Sequence, residues 1–129
     1  MDNFKVMIVD DEKDFLETII KRLKARKIEV TPAESGQQAL ELLAAQDYDV
    51  IVLDVKMPGM DGIETLREIK KKKSLTEVIM LTGHASVESG IQGMQLGAFD
   101  YVMKPVALDE LLEKMRQAYE KKLVQEGKA

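Results

Sequence analysis

Residues 50–54, Val50-Ile51-Val52-Leu53-Asp54, decide the fold of this chain. The first four are all aliphatic, which is the pattern of a β-strand that is buried on both faces. Such strands belong to parallel sheets whose two faces are covered by helices. The stretch therefore predicts an α/β protein in which Asp54 stands at the end of a central strand.

Four further apolar runs flank this strand, and amphipathic helical stretches separate them. The five predicted strands cover residues 5–9, 28–33, 50–53, 78–81 and 101–103. Five strand–helix repeats imply a mostly parallel sheet with helices on both faces. Right-handed crossovers favour a doubly wound, flavodoxin-like (βα)5 fold with strand order 2-1-3-4-5. In that fold, ligands bind where the carboxyl ends of strands one and three meet.

The fourth predicted helix differs from the others because it carries two glycines. Val87, Ile91 and Met94 fall on one side of it at helical spacing, and Gly90 and Gly93 lie between them. Glycine in a helix interior costs up to about 1 kcal/mol relative to alanine. We expect this helix to be the least rigid one.

The last predicted helix is the most regular, and it sets the end of the folded core. Its apolar side chains recur at helical spacing in Leu108, Leu111, Leu112, Met115 and Tyr119. Beyond Leu123 the sequence turns polar. We expect one domain over residues 1–129, with a core from about 4 to 123 and a frayed tail at 124–129.

The composition excludes several classes of protein. The chain has 129 residues, a length typical of one domain, with no cysteine and one histidine. Disulfide scaffolds, cysteine nucleophiles and zinc sites built from cysteine or several histidines are therefore excluded. A net charge of −4 gives no overall attraction to nucleic acid or anionic membranes. Because neither a membrane helix nor a signal peptide is recognisable, we expect a cytoplasmic protein.

Carboxylates follow two of the central strands. Asp10 and Asp11 come directly after the first strand, and Asp54 ends the third. These strands are neighbours in the predicted order, so the three carboxylates converge and repel one another unless a cation binds. An all-oxygen ligand set points to Mg²⁺, with Mn²⁺ as a substitute, and Mg²⁺ commonly shares its sites with phosphate oxygens. Taken singly, the same residues are also typical helix N-terminal acids and a turn residue.

Two further polar side chains are predicted at the same edge of the sheet. Thr82 follows the fourth strand and Lys104 the fifth. A lysine neutralises carboxylates and can hold a transferred phosphoryl group, and a hydroxyl can donate to a phosphate oxygen. A carboxylate can itself accept a phosphoryl group as an aspartyl phosphate. The five residues together predict phosphoryl chemistry.

The order and spacing of these motifs resemble the receiver domain of two-component response regulators over about residues 5–123. The matching motifs are Val9-Asp10-Asp11-Glu12, Leu53-Asp54-Val55-Lys56-Met57-Pro58-Gly59-Met60-Asp61-Gly62, Leu81-Thr82-Gly83-His84-Ala85, Gly97-Ala98-Phe99-Asp100-Tyr101 and Lys104-Pro105. The third motif and the long last helix lean toward receivers of bacterial enhancer-binding activators. A stand-alone receiver is the other form that fits.

The resemblance implies a role for each site residue. Asp54 would be the phosphoacceptor, and Thr82 and Lys104 would contact the bound phosphoryl group. Tyr101 would change rotamer when Thr82 moves. The implied Mg²⁺ ligands are Asp10, Asp11, Asp54 and the backbone carbonyl of Lys56.

The resemblance also implies tuning residues, partners and an output surface. The Lys104–Pro105 peptide bond would be cis, and Lys56 and His84 would tune the phosphoryl lifetime or the choice of partner. A sensor histidine kinase or a histidine phosphotransfer protein would supply the phosphoryl group. The surface formed by the fourth helix (86–96), the fifth strand (101–103) and the last helix would act on a downstream effector, a fused output domain or a second copy. The domain would be a signalling switch and not an enzyme, without nucleic-acid or membrane contacts of its own.

Three alternatives stand beside this interpretation. A phosphatase of the haloacid dehalogenase type also uses an aspartate after a strand, but its second acid would fall at Lys56. A nucleotide-binding domain would need a glycine-rich phosphate loop, and neither G-x-G-x-x-G nor G-x-x-x-x-G-K-[ST] is present. A pseudo-receiver that only binds a partner is disfavoured because all five site residues are intact.

Overall fold

The structure, a computed structural model, describes residues 4–83 and 87–128, and in these residues it has one five-stranded parallel sheet. The strands are β1 (Val6–Val9), β2 (Val30–Ala33), β3 (Val50–Asp54), β4 (Glu77–Thr82) and β5 (Asp100–Met103). Their order is β2-β1-β3-β4-β5, with β3 at the centre. The predicted doubly wound α/β fold is confirmed.

Helices cover both faces of this sheet. Those in the described residues are α1 (Lys13–Ala25), α2 (Gly36–Ala45), α3 (Gly62–Lys72), α4 (Val87–Gln95) and α5 (Leu108–Gln125). Side chains of α1 and α5 pack on one face, and those of α2 and α3 pack on the other. Every residue of β1, β3 and β4 is buried. Burial on two sides explains why these strands are almost wholly aliphatic.

Strand β2 begins two residues later than its sequence predicts. The N–H of Ile28 donates to the carbonyl oxygen of Leu23 at 3.0 Å, and Lys27 takes a left-handed φ of 63°. Both features belong to the turn that ends α1, because a left-handed residue after the last helical turn lets the chain reverse there. Ile28 is still buried, so this apolar side chain packs in the core although the residue lies outside the strand.

Helix α4 contacts the sheet through its glycines and not through its large apolar side chains. Ile91 and Met94 are 50% and 40% exposed, whereas Gly90 and Gly93 are buried. The side of α4 that carries Ile91 and Met94 is therefore not the side that packs on the sheet; the side chain of Val87, predicted on the same side, is outside the described part of the chain. Helical spacing alone cannot tell which of two faces packs when one consists of glycine.

Helix α5 extends to Gln125, two residues past the predicted end of the core at Leu123. Lys122 lies 2.6 Å from the carboxylate of Glu126 and 3.0 Å from that of Asp49, so the last turn is tied to the start of β3. Helix α5 therefore includes the first two residues of the predicted frayed tail at 124–129. No helix within residues 4–83 and 87–128 is long and apolar enough to cross a membrane.

Charged residues also lie close together at the amino end of the sheet. Glu77 is only 1% exposed at the start of β4. Lys70 lies 3.6 Å from one of its carboxylate oxygens, and Lys121 lies 3.2 Å from the other without hydrogen-bond geometry. The basic run 70–73 at the end of α3 is therefore only in part the solvated helix end that its sequence indicates, since Lys70 is directed inward.

Candidate functional site

Strand register brings the predicted site residues to one edge of the sheet. Val9 pairs with Leu53, Asp54 with Leu81, and Thr82 with Met103. The residues that end or follow these parallel strands are therefore neighbours at the carboxyl edge. They are Asp10, Asp11, Asp54, Thr82 and Lys104, as the sequence predicts.

Three carboxylates form the centre of this edge. Oxygen atoms of Asp10, Asp11 and Asp54 all lie within 4.8 Å of one another. Asp10 and Asp54 are buried, and Asp11 is exposed. Three hard oxygen donors at this separation fit a divalent cation of the Mg²⁺ type, with room for water or phosphate oxygens as further ligands.

The carboxyl group of Asp54 is strained electrostatically by its surroundings. Burial raises its pKa, the negative charges of Asp10 and Asp11 raise it further, and the nearby Lys104 opposes them. The resulting pKa is about 6, against an ordinary value of 3.8. Positive charge brought to this edge would therefore favour the ionised, nucleophilic form of Asp54.

Lys104 is the cation that Asp10 and Asp54 share. Its ammonium nitrogen lies 2.6 Å from Asp10, 3.2 Å from Glu12 and 3.6 Å from Asp54. It also lies 4.7 Å from the centre of the Phe15 ring, within cation–π range. Burial lowers the pKa of Lys104, but the hydrogen bond and charge of Asp10 outweigh it and leave the pKa above its ordinary value. The side chain stays charged beside Asp54.

The backbone fixes Lys104 next to Thr82. The N–H of Lys104 donates to the carbonyl oxygen of Thr82 at 2.7 Å. The Lys104–Pro105 peptide bond is cis, which confirms that expectation. The Thr82 side chain is fully buried, and its hydroxyl has no hydrogen-bond partner among the described residues. A buried hydroxyl without a partner is costly unless a ligand completes it.

Gly62 has a structural role that the sequence analysis did not assign. A Cβ atom at this position would collide with the carbonyl oxygen of Asp54 and would lie 2.7 Å from Cα of Val55. The N–H of Gly62 donates to the carbonyl oxygen of Val55 at 2.9 Å. Only glycine lets α3 begin this close to the end of β3. Asp61 immediately before it, whose carboxylate accepts from the N–H of Glu64 at 2.9 Å, was the available signal of a helix start.

The remaining predicted residues lie around this centre or outside the described chain. The exposed Lys56 lines an open groove of about 460 Å³ with Met57, Pro58 and Ser89 among its walls. Its carbonyl as a metal ligand stays a prediction. His84 lies outside the described residues.

Tyr101 is half-buried on β5, and α5 contacts it. Lys114 donates to its carbonyl oxygen at 2.9 Å and lies 2.9 Å from the carboxylate of the neighbouring Asp100. The Lys114 ammonium is also 5.7 Å from the centre of the Tyr101 ring. The sequence analysis missed Lys114, because a lysine on a helix gives no sign of which strand it reaches.

Comparison with known families matches the response regulator receiver domain to residues 6–116, which is most of the chain. This chain belongs to the receiver domain family. The receiver is a phosphorylation-dependent signalling switch of two-component systems, so the fold and the signalling function predicted from the sequence agree with the family. The phosphatase and nucleotide-binding alternatives are set aside.

Individual relatives place this receiver domain among bacterial regulators. The regulatory protein AtoC of Escherichia coli is 39% identical over 107 residues, which cover 83% of this chain and 23% of AtoC. The response regulator MprA of Mycolicibacterium vanbaalenii is 37% identical over 112 residues, covering 87% of this chain and 48% of MprA. The receiver thus spans about a quarter to a half of the length of these relatives.

A solved structure of similar length supports the same conclusion. The response regulator receiver domain protein from Clostridium thermocellum is 35% identical, with a TM-score of 0.90. The alignment covers 95% of this receiver and 98% of that chain. The agreement therefore extends over the whole fold and not over the site alone.

Proposed function

We propose that Asp54 is the phosphoacceptor of this receiver and that Asp10, Asp11, Thr82 and Lys104 serve its phosphorylation. The observation that carries the proposal is the convergence of the carboxylate groups of Asp10, Asp11 and Asp54 within 4.8 Å, beside a lysine whose ammonium group lies 2.6 Å from Asp10 and 3.6 Å from Asp54. Thr82 ends the neighbouring strand β4, and its hydroxyl has no hydrogen-bond partner among the described residues. The carboxyl edge of the sheet therefore combines a nucleophile, a site for a cation, a lysine ammonium group and a hydroxyl donor.

The transfer step follows from these groups. A carboxylate oxygen of Asp54 attacks the phosphorus of a phosphohistidine, the P–O bond forms and the P–N bond breaks. The imidazole leaves with the electron pair and takes up a proton, and the product is an acyl phosphate. Lys104 stabilises the negative charge on the phosphoryl oxygens, as preorganised cations do in transferring sites.

The residues present fit a bound Mg²⁺. Asp10, Asp11 and Asp54 would hold it together with the backbone carbonyl of Lys56. When bound, the ion supplies positive charge that offsets the carboxylates and the phosphoryl oxygens. The raised pKa of Asp54 fits a site in which such a charge is part of the working state.

Phosphorylation would then act on the surface formed by α4, β5 and α5. A phosphoryl group adds nearly two negative charges and three acceptor oxygens. The hydroxyl of Thr82 turns toward these oxygens, and Tyr101 changes rotamer with it. Ile91 and Met94 are large apolar side chains exposed on α4, which fits a surface that a partner covers.

The partners follow from this role. A sensor histidine kinase or a histidine phosphotransfer protein donates the phosphoryl group in the cytoplasm. The output surface acts on an effector, a fused output domain or a second copy of the chain. Residues 1–129 form a single receiver domain that assists its own phosphorylation and dephosphorylation without turning over a separate substrate, and it contacts neither nucleic acid nor a membrane itself.

Intact-mass spectrometry after incubation with acetyl phosphate tests the proposal. We expect one phosphoryl adduct that requires Mg²⁺ and disappears in Asp54→Asn. The matched control is Asp61→Asn, which removes a carboxylate of the same β3–α3 segment but keeps a residue that caps helix α3 well. It should retain the adduct. Absence of an adduct, also with phosphoramidate under rapid quenching, would contradict the proposal and favour a pseudo-receiver.

A further inference from the structure

Helix α4 approaches the sheet through two glycines, one of which lies against the residues of the proposed switch. A Cβ atom at residue 90 would lie 3.1 Å from the Cγ2 methyl group of Thr82 and 3.6 Å from Cγ of Tyr101. The first distance is shorter than ordinary van der Waals contact. Residue 90 therefore faces both Thr82 and Tyr101 at once, and the absence of a side chain there leaves the methyl group of Thr82 its space.

The second glycine lies on the same face of α4 but over different neighbours. A Cβ atom at residue 93 would lie 3.0 Å from Cγ of Met80 and 3.7 Å from Cδ2 of Leu66. Methionine is flexible and can move aside. Gly93 is thus buried on the same helix as Gly90, but the atoms nearest to its Cβ position belong to Met80 and Leu66 and not to Thr82 or Tyr101.

We propose that Gly90 is a positioning residue for the switch. Because it has no side chain, it leaves room for the rotamer of Thr82 that points its methyl group at α4. The inference rests on the proposed function, in which Thr82 turns its hydroxyl toward the phosphoryl group. Threonine occupies staggered rotamers, so turning the hydroxyl also moves the methyl group by one rotamer step. A side chain at residue 90 would destabilise the present rotamer and so favour the other one.

This reasoning gives the direction of the effect of Gly90→Ala. The substitution shifts Thr82 toward the arrangement that contacts the phosphoryl group before any phosphoryl group is present. Because coupling between two sites is reciprocal, the variant must then bind a phosphoryl mimic more tightly than the wild type. We expect an increase of about fivefold, the lower end of typical coupling.

The test is titration of the full chain with beryllofluoride, a phosphoryl mimic, in the presence of Mg²⁺, followed by amide NMR shifts. Gly90→Ala should bind about fivefold more tightly. Gly93→Ala is the matched control, with the same gain in helix propensity, and should change affinity less than about twofold. Thr82→Ser keeps the hydroxyl and removes the methyl group. The double variant Thr82→Ser/Gly90→Ala should therefore bind the mimic with the same affinity as Thr82→Ser alone.

Each outcome of this experiment decides the inference. Equal effects of Gly90→Ala and Gly93→Ala, or an effect that persists in the Thr82→Ser background, would overturn it while leaving the proposed function intact. A wild type that binds no mimic would overturn both. If Gly90→Ala fails to fold but folds in the Thr82→Ser background, the obstruction by the methyl group is supported; if neither folds, the inference is wrong.

Discussion

The two ends of the sheet treat buried charge in opposite ways. At the carboxyl end, Asp10, Asp11 and Asp54 crowd within 4.8 Å, and Lys104 is the lysine that pairs with two of them. At the amino end, the buried acid Glu77 faces two lysines, one from α3 and one from α5. One end has an excess of negative charge, and the other has its acid neutralised.

The difference separates a structural group of charges from a functional one. Burial lowers the pKa of Lys70 at the amino end, but its ammonium also donates to the carbonyl oxygen of Thr76 at 2.8 Å. At the carboxyl end, Lys104 offsets only part of the rise in the pKa of Asp54, and the hydroxyl of Thr82 has no hydrogen-bond partner among the described residues. We infer that the charged residues at the amino end stabilise the fold, whereas those at the carboxyl end form a site that bound ligands complete.

The largest expected change in the free energy of unfolding comes from Glu77→Gln. Glu77→Gln removes the negative charge but leaves Lys70 directed into a nearly closed site. Removal of one partner of a buried pair costs about 3 kcal/mol or more in the free energy of unfolding. Urea denaturation at pH 7 measures it, and the substitution should lower the midpoint without changing the slope.

The control for Glu77→Gln is a charge pair on the surface. Glu68 lies 3.4 Å from Lys71 on α3, where the lysine is 74% exposed. Glu68→Gln should cost less than about 0.5 kcal/mol, as exposed pairs do. If the two variants lose similar stability, the amino end is not the structural group of charges described above.

The next largest change is a gain in stability and not a loss. Asp54→Asn should stabilise the domain by about 2 kcal/mol at pH 7, because it removes a carboxylate whose folded-state pKa of about 6 lies above the ordinary 3.8. The folded state binds the proton more tightly, so this group favours folding below pH 3.8, and the benefit is lost as the pH rises through 6. The advantage of Asp54→Asn therefore vanishes near pH 4 and is complete above pH 6.

Urea denaturation across this pH range checks the sign. Asp109→Asn serves as the control, since Asp109 is 91% exposed and lies 3.5 Å from Arg26. It should leave stability nearly unchanged over the same range. A less stable Asp54→Asn at pH 7 would show that the carboxylate is well accommodated and that the carboxyl end is not electrostatically strained.

The sequence predicted the carboxyl end better than the amino end, for a physical reason. Parallel strands bring their carboxyl ends to one edge, so residues that follow Val9, Leu53 and Leu81 must meet there once the strand order is known. Glu77 is a single acid directly before the predicted strand 78–81, and Lys70 lies in a run of four lysines that is typical of an exposed helix end. Their contact depends on how α3 packs, which hydrophobic spacing does not determine.

The close-packed glycines illustrate a second limit. From sequence, Gly90 and Gly93 predict only a loss of helix stability, whereas the structure shows that they bring α4 near Thr82 and Met80. Gly62 is similar, since its necessity comes from the Asp54 carbonyl oxygen behind it. Such roles depend on distances of a few tenths of an ångström between elements, and no local pattern encodes them.

A smaller effect should follow from adding Mg²⁺. An ion that binds only the folded state stabilises it by about 1.4 kcal/mol at ten times its Kd. The ion should therefore narrow the stability gap between Asp54→Asn and the wild type, because it offsets the charge that the substitution removes. Thermal unfolding with Mg²⁺ and with EDTA measures this, and Asp11→Asn should weaken the response. Stabilisation that is equal in all three proteins would place the ion elsewhere.

The smallest effect distinguishes the two lysines of the amino end. Lys121 is 45% exposed and lies 3.2 Å from Glu77, whereas Lys70 is 18% exposed and also donates to the carbonyl oxygen of Thr76. Lys121→Gln should cost about 0.5 kcal/mol, an effect that 1 M NaCl largely removes because solvent screens an exposed charge. Lys70→Gln should cost clearly more and respond little to salt, because its charge is shielded from solvent. Equal costs with equal salt dependence would mean that Glu77 is neutralised from the surface, and the amino end would then owe its stability to packing and not to a buried ion pair.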